Sequence, residues 1–356
     1  PGRIAWSITA LLLFGATAMP VHGQFELVKL MADDAEKNDL FGVSVGIDGG
    51  VAVIFRVAVL SEDFAGPGAG KILRGRAVTE VQSFPAPGKL NLMLRVTGRR
   101  ADGYHLLQTV IRFIDYGDTL TFHVRKDGLV TRVNEVAGVP AGEDLAVRAA
   151  RRLQQASGTR LGADITLEKR LPLGGGLGGG SSDAATTLLA LNHLWRAGLP
   201  RERLLALALE LGADVPVFVG GENALAEGIG ERLTPLDLAP AWYLVLTPPV
   251  AVPTARMFSD NQLKRDSKPI KITAFSAEQA GNDLEPVVCR EYPEVARHLA
   301  WLRQAAPAWV TGTGACVFAT FPTESAARQV LEQAPNGMRG FIARGLARHP
   351  LRELAR

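Results

Sequence analysis

The seven residues from Gly174 to Gly180 include six glycines, and they are the part of this 356-residue sequence best suited to bind a ligand. A glycine in regular structure costs about 0.5–1 kcal/mol relative to alanine, so a chain concentrates glycines where the backbone must approach another group closely. The loop stands in LPLGGGLGGGSSDAATTLL, residues 171–189, directly before a helix-like segment. Free N–H groups and the positive end of a helix dipole bind anions. The pattern predicts a polyphosphate-binding loop, with a flexible surface linker as the alternative.

Hydrophobic periodicity predicts the elements on both sides of this loop. Residues 163–172 are typical of a strand that leads into it, and residues 181–195 are typical of a helix whose Ser-Ser-Asp start suits an N-cap or first turn. Another helix is predicted at residues 145–157. Because the loop is neither a Walker A sequence nor a GxGxxG sequence after a first strand, it indicates a different nucleotide fold.

A second candidate group lies on a predicted strand near residue 90. Leucines alternate with polar residues from 90 to 94, which places Lys89 and Asn91 together on the opposite face. Beyond a polar ADGYH turn, residues 106–116 and 119–124 are predicted as two further strands. A lysine on a strand is most often solvated, so a catalytic role for Lys89 requires additional support.

The first 83 residues differ in character from the remainder. Arg3 precedes an apolar run at 4–19, a pattern typical of a secretory signal peptide, with a buried helix or a non-native leader as alternatives. Residues 35–55 predict a β-hairpin with an Asp48-Gly49-Gly50 turn and resemble a single FG-GAP repeat. GPGAGK at 66–71 is not a P-loop, because Ile72 stands where serine or threonine is required.

Composition excludes several classes of protein. The net charge of +3, with no block of basic residues, argues against nucleic-acid binding. The two cysteines, Cys289 and Cys316, are too few and too far apart for a disulfide framework or a zinc site. A hydrophobic content of 47% is ordinary for a globular protein with a sizeable core.

Three segments together resemble the motifs of the GHMP small-molecule kinases: PAPGKLNL at 85–92, LPLGGGLGGGSSDAAT at 171–186 and TGTGACVFA at 311–319. Within that superfamily, four other segments resemble the kinases that act on 4-diphosphocytidyl-2-C-methyl-D-erythritol: GRRADGYHLLQTV, LGADVPVF, AEGIGERLTPL and GNDLEPVV. The resemblance extends from about Phe84 to the C-terminus, and the ADGYH segment combined with the glycine loop is its most specific part.

The resemblance implies an α+β fold of two domains with the active site in the cleft between them. Residues 84–238 would form a ribosomal-protein-S5-like, ATP-binding N-terminal domain, and residues 239–356 a ferredoxin-like C-terminal domain. Residues 1–83, with the signal-like leader and the FG-GAP-like fragment, would lie outside the kinase.

The resemblance also implies a reaction, a cofactor and a compartment. ATP would donate its γ-phosphoryl group to the 2-hydroxyl of a substrate with a cytidine diphosphate moiety, in the non-mevalonate isoprenoid pathway. Magnesium would be bound through the ATP phosphates and not by a protein metal site. The kinase would act in the cytoplasm, without nucleic-acid or membrane partners. The alternatives are another GHMP kinase, of the homoserine or mevalonate type, and more distantly a secreted binding module.

Residue roles follow from the same resemblance. Asp214 would orient the hydroxyl or accept its proton, and Lys89 would hold Asp214 and stabilise the phosphoryl oxygens. The ATP-binding residues would be Leu173, Gly174, Gly175, Gly176, Leu177, Gly178, Gly179, Gly180, Ser181 and Ser182. The substrate-binding residues would be Asn91, Tyr104, His105, Thr254 and Phe258. The C-terminal glycine motif, Gly312, Thr313 and Gly314, would close on the phosphate region.

Overall fold

The structure is a computed structural model that describes residues 28–30, 41–48, 51–55 and 81–355. The signal-like segment at 4–19 and the GPGAGK sequence at 66–71 lie outside the described residues. Among the described residues, no helix is long and apolar enough to cross a membrane.

Three short strands precede the main part of the chain: β1 (Val28–Leu30), β2 (Phe41–Asp48) and β3 (Val51–Phe55). Strands β2 and β3 pair antiparallel with Asp48 opposite Val51, which confirms the predicted hairpin. The two glycines of its predicted turn lie outside the described residues. Val53 of β3 pairs with Gln82, so the hairpin continues the sheet that follows.

The N-terminal domain is built on two long antiparallel strands, β4 (Val81–Arg99) and β5 (His105–Arg125). The prediction of separate strands at 106–116 and 119–124 is wrong, because both belong to β5. One half of β5 pairs with β8 (Ala224–Gly228) and the other half with β7 (Gly162–Glu168). Because each half has its own partner strand, β5 continues as a single strand. Strands β6 (Val130–Arg132) and β9 (Arg232–Pro235) complete this part of the sheet.

Four helices pack on this sheet: α1 (Leu145–Ser157), α2 (Gly179–Leu194), α3 (Arg201–Leu211) and α4 (Val215–Gly220). Helix α1 coincides with its prediction because both ends are encoded. The Asp144 side chain accepts a hydrogen bond from the N–H of Ala146 at 2.8 Å, and Gly158 ends the helix with a φ of 68°. The apolar faces of the helices and the sheet enclose the largest core of the described residues.

The C-terminal domain has an antiparallel sheet in the order β12-β13-β10-β14. Its strands are β10 (Trp242–Leu246), β12 (Ala308–Val310), β13 (Val317–Phe321) and β14 (Gly340–Arg344). Three helices lie between β10 and β12 in the chain: α5 (Thr254–Ser259), α6 (Glu285–Glu291) and α7 (Pro293–Ala305). Helix α8 (Glu324–Glu332) lies between β13 and β14. This βαββαβ arrangement is ferredoxin-like, so the predicted two-domain α+β fold is confirmed. Strand β11 (Gly281–Asn282) pairs with β4 and joins the two domains.

The chain returns to the N-terminal domain after β14. His349 and Leu351 are buried, and Leu351 and Ala355 belong to the N-terminal core. Arg201 of α3 donates to the carbonyl of Arg352 at 2.6 Å and also to that of Ala355. The proposed domain boundary at 238–239 falls between β9 and β10, while the last residues of the chain pack on the first domain.

Candidate active site

A cleft of about 410 Å³ separates the two domains, and the glycine loop forms its floor. The side chains of Lys89, Asn91 and Asp214 line one side of it. The structure brings nearly all the predicted site residues to this cleft: Lys89, Asn91, residues 173–181, Asp214, Thr254, Phe258, Gly312 and Thr313.

The glycine loop turns its carbonyl groups away from the cleft. The carbonyls of Gly174 and Gly175 accept hydrogen bonds from the N–H groups of Ala315 and Cys316, at 2.9 and 3.1 Å. Gly176 has a φ of +75°, and a Cβ atom there would lie 2.1 Å from the carbonyl oxygen of Thr311. Glycine is therefore required at 176 both for its conformation and for the close approach of the C-terminal domain.

The N–H groups of residues 176–181 differ from these carbonyls in having no partner in the described part of the chain. Among residues 81–355, no group accepts a hydrogen bond from any of these six N–H groups. They belong to the residues around the start of helix α2, which begins at Gly179 with Gly178 as its N-cap, at a φ of +71°. Unpaired N–H groups at a helix N-terminus are suited to bind phosphate oxygens.

The two serines after the loop have different surroundings. Ser181 lines the cleft, whereas Ser182 is fully buried and its hydroxyl donates to the carbonyl of Pro87 at 2.7 Å. Ser182 therefore fastens α2 to β4, and only the Ser181 hydroxyl faces the space where phosphates would lie. The expected serine or aspartate N-cap is replaced by Gly178, because the loop enters the helix in a left-handed conformation.

Lys89 and Asp214 form an ion pair at the mouth of the loop, with Nζ 3.3 Å from Oδ2. The Lys89 side chain is only 3% exposed, and that of Asp214 is 42% exposed. Nζ also donates to Oδ1 of Asn91 at 2.5 Å and to the carbonyl of Gly176 at 3.0 Å. The ammonium is thereby held beside the loop, while the carboxylate remains accessible from the cleft.

Asn91 is buried, and its side chain positions Lys89. Its Nδ2 donates to the hydroxyl of Thr109 at 2.8 Å, which in turn donates to the carbonyl of Met93 at 2.6 Å. Its backbone N–H donates to Oγ1 of Thr311 at 3.0 Å. Both polar atoms of the Asn91 side chain are thus already paired within the protein. This series of hydrogen bonds fixes the orientation of the Lys89 ammonium.

Lys169, Asp118 and Asp183 form a buried cluster beneath the glycine loop. The Lys169 ammonium lies 2.8 Å from Oδ2 of Asp183 and also pairs with Asp118. Burial raises the pKa of Asp183 to about 7, although Lys169 opposes this shift. Asp118 also accepts hydrogen bonds from the N–H groups of Arg170 and Leu171, at 2.6 and 2.8 Å. Asp183 therefore neither caps α2 nor faces the cleft.

A second cavity of about 500 Å³ continues the cleft and contains Tyr104, His105 and Phe258. Tyr104 is 60% exposed, at the end of a turn in which its N–H donates to Asp102 at 3.2 Å. The rings of His105 and Phe258 lie 5.0 Å apart with a tilt of 32°. Aromatic faces beside a polar ring edge are suited to a flat heterocycle. This space is named here the base pocket.

The C-terminal glycine motif lines the cleft next to Asn91. Thr313 and Thr254 share a hydrogen bond of 3.1 Å between their hydroxyls. Gly312 has a φ of +57°, and a Cβ atom there would lie 3.2 Å from Oδ1 of Asn91. Asn282 holds the motif in place, because its Nδ2 donates to the carbonyl of Gly312 at 2.7 Å.

Two charged residues in this region were not predicted. Lys169 lines the cleft. Its position two residues before Leu171, where the loop segment begins, was the signal in the sequence that could have identified it. Arg265 contacts His105 from a segment, NQLKRDSK, that carries no recognisable motif. Cys316 is buried, and burial raises the pKa of its thiol to about 12, in agreement with a structural role.

This arrangement of fold and cleft defines a GHMP kinase. The description "GHMP kinases N terminal domain" matches residues 144–222, and "GHMP kinases C terminal" matches residues 264–340. The description "FG-GAP repeat" matches residues 25–69, which confirms that resemblance as well.

Similar proteins define the family more narrowly. The 4-diphosphocytidyl-2-C-methyl-D-erythritol kinase of Nitrosospira multiformis is 64% identical over 276 residues, covering 77% of this chain and 94% of the relative. That of Thiobacillus denitrificans is 60% identical over 270 residues, covering 76% and 97%. The chain belongs to the 4-diphosphocytidyl-2-C-methyl-D-erythritol kinase family.

Solved structures agree with this assignment. A crystal structure of 4-(cytidine 5'-diphospho)-2C-methyl-D-erythritol kinase is 35% identical, with a TM-score of 0.64 over 74% of this chain and 98% of that one. A homoserine kinase from Cytophaga hutchinsonii has a TM-score of 0.59 over 78% of this chain and 98% of that one, at 16% identity. The second likeness shows the fold alone.

Proposed function

We propose that this chain transfers the γ-phosphoryl group of ATP to the 2-hydroxyl of 4-diphosphocytidyl-2-C-methyl-D-erythritol, a step in isoprenoid precursor synthesis. The observation that carries this proposal is one continuous cleft with three parts. A surface of free N–H groups lies at its centre, the Lys89–Asp214 pair stands beside that surface, and the base pocket lies at the far end.

The glycine loop would hold the ATP phosphates. Its outward N–H groups and the dipole of α2 supply positive potential without side chains that would keep the phosphates at a distance. Ser181 adds a hydroxyl donor on the same surface. Ser182 supports the loop from behind, through its hydrogen bond to Pro87.

Lys89 and Asp214 would carry the transfer step. The 2-hydroxyl oxygen forms a bond to the γ-phosphorus while the bond from that phosphorus to the bridging oxygen breaks, and ADP leaves. Asp214 orients the hydroxyl and accepts its proton as the new bond forms. Lys89 holds Asp214 in place and stabilises the charge on the phosphoryl oxygens. The accessible carboxylate and the buried ammonium fit these two roles.

The cytidine end of the substrate would occupy the base pocket. Tyr104 would stack on one face of the cytosine and Phe258 on the other, while His105 would form a hydrogen bond to the base edge. Thr254, paired with Thr313, stands between this pocket and the phosphate loop, where the diphosphate would pass.

Magnesium would be bound through the ATP phosphates. Mg²⁺ retains several waters and is commonly held through substrate phosphates, so it needs no dedicated protein site. When bound, the ion would neutralise charge on the phosphates. A kinase that consumes ATP is expected to work in the cytoplasm. Residues 84–238 and 239–356 would be its two domains, with residues 1–83 outside them.

Activity is tested by measuring ADP release from the full chain with ATP and 4-diphosphocytidyl-2-C-methyl-D-erythritol. Asp214→Asn removes the charge with little change in shape, and we expect kcat to fall by about 100-fold or more. Glu210→Gln, on the exposed side of α3, is the matched control and should leave the rate unchanged.

A shortened chain that begins at Gln82 tests the domain assignment. Equal activity in the short and full chains would support it, and loss of activity in the short chain would contradict it. Turnover of homoserine or mevalonate without turnover of the cytidine substrate would overturn the proposed function.

A further inference from the structure

Arg265 connects the two walls of the base pocket. It follows helix α5, which carries Phe258, whereas His105 begins strand β5 on the other wall. The Arg265 Nε–H donates to Nε2 of His105 at 3.1 Å. Its Nη2 donates to the carbonyls of Phe258 and Asp260, at 2.9 and 2.6 Å. One guanidinium therefore holds the histidine ring and the segment that carries the neighbouring Phe258 ring.

This contact determines which nitrogen of His105 carries the proton. A ring nitrogen that accepts a hydrogen bond has no proton, so neutral His105 must be protonated at Nδ1. Among residues 81–355, Nδ1 has no hydrogen-bond partner. Partial burial and the nearby Arg265 and Arg99 lower the pKa of His105, which keeps the ring neutral at pH 7. His105 thus presents a fixed N–H donor.

A fixed donor distinguishes the two pyrimidine bases. Both bases have an acceptor at O2, but N3 is an acceptor in cytosine and carries an N–H in uracil, so a donor directed at N3 favours cytosine. We propose that Arg265 is a positioning residue that holds the walls of the base pocket together and fixes His105 as a donor, thereby favouring cytosine over uracil. Arg265 has this role only if the pocket binds the base, as in the function proposed above.

The test is direct binding of CMP and UMP to the full chain by calorimetry, with a non-hydrolysable ATP analogue present to fill the ATP site. We expect wild type to prefer CMP. In Arg265→Met, CMP affinity should fall by about tenfold and the preference for CMP should decrease toward equality, because the ring can then present either nitrogen. Arg256→Met is the matched control, since this α5 arginine is exposed and pairs with Glu291 at 2.7 Å.

Kinetics and a double variant separate positioning from general destabilisation. In Arg265→Met, KM for the cytidine substrate should rise by about tenfold while kcat and KM for ATP stay within about twofold of wild type. In a His105→Asn background, the same arginine substitution should have little further effect, because the two residues act together. Arg265→Lys preserves the charge but cannot reach the His105 ring and both the Phe258 and Asp260 carbonyls, so it should be intermediate. This variant replaces Arg265→Met if the methionine variant fails to fold.

Three outcomes would overturn the inference. An unchanged CMP preference in both Arg265 variants would show that the arginine has no part in recognition. Equal losses in kcat and in both KM values would indicate a role in folding only. If the wild type binds neither nucleotide, the base pocket of the proposed function fails, and the role of Arg265 fails with it.

Discussion

Lys89 is buried, and three acceptors surround its ammonium. Its ammonium contacts the Asp214 carboxylate, the Asn91 amide oxygen and the Gly176 carbonyl, so one side chain joins the catalytic pair to the phosphate loop. A charge fixed in this way stabilises developing negative charge without having to reorganise. The same contacts explain why Asn91, a predicted substrate ligand, is engaged in supporting the lysine.

Replacing Lys89 with methionine should preserve the packing and remove the charge. We expect kcat to fall by about 100-fold or more, because the phosphoryl oxygens lose their fixed cation. Steady-state kinetics with both substrates would measure this. Lys126→Met, at an exposed position, is the control. A Lys89→Met variant with normal kcat would contradict the role proposed for this lysine.

The two cysteines should be unreactive in the folded chain. Burial, the larger cause, and nearby Glu285 raise the pKa of Cys289 to about 11, and burial alone raises that of Cys316 to about 12. Neither thiol then forms appreciable thiolate at pH 7, and the thiolate is the reactive form. A chromogenic disulfide reagent should detect no fast-reacting thiol in native protein and two after denaturation. Rapid reaction of a native thiol would show that the burial is incomplete.

At the scale of elements, the glycine loop requires both a left-handed backbone at Gly176 and the close approach of the Thr311 carbonyl. Gly176→Ala should abolish ATP binding or folding, because its Cβ would meet the Thr311 carbonyl at 2.1 Å and its φ is +75°. Gly198→Ala isolates the conformational cost, since its φ is +66° with no atom within 4 Å of the added Cβ. We expect Gly198→Ala to cost about 1–2 kcal/mol in stability.

Thermal unfolding and ATP binding would distinguish these cases. Gly142→Ala is the neutral control, because a Cβ atom there has nothing within 4 Å. If Gly176→Ala behaves like Gly198→Ala, with full ATP affinity, then the close approach of the two domains at the loop is not essential.

Local signals predicted helix α1, the glycine loop and the hairpin, because each is encoded by neighbouring residues. The length of β5 could not be predicted, since it depends on two partner strands that lie far away in sequence. The role of Arg265 was also inaccessible, because its partner His105 is 160 residues away and the arginine carries no motif. The resemblance predicted which residues gather at the cleft, and it did not indicate that Ser182 would be fully buried.

At the scale of the whole molecule, acid stability should depend on His349. This ring is fully buried against Phe113 and Phe218, and burial lowers its pKa from 6.5 to about 3. Between those values the unfolded chain binds a proton that the folded chain does not, so stability is full above about pH 6.5 and falls as pH falls. The slope from this group is about 1.4 kcal/mol per pH unit.

His349→Asn tests this dependence, because its Oδ1 can replace Nδ1 as the acceptor for the N–H of Leu351 and does not titrate. Between about pH 7.5 and about pH 5, the free energy of unfolding measured with denaturant should decrease less in the variant than in the wild type. His193→Asn, at an exposed position, should behave like the wild type. If the free energy of unfolding decreases equally in the wild type and both variants, the pH dependence arises from other groups.

The return of the last residues to the first domain also has a consequence for how the protein is made. Leu351 and Ala355 fill part of the N-terminal core, and Arg201 is satisfied by carbonyls at the end of the chain. These residues follow the second domain in the chain, so a ribosome makes them after it. The core of the first domain can therefore be completed only once the second domain has been synthesised.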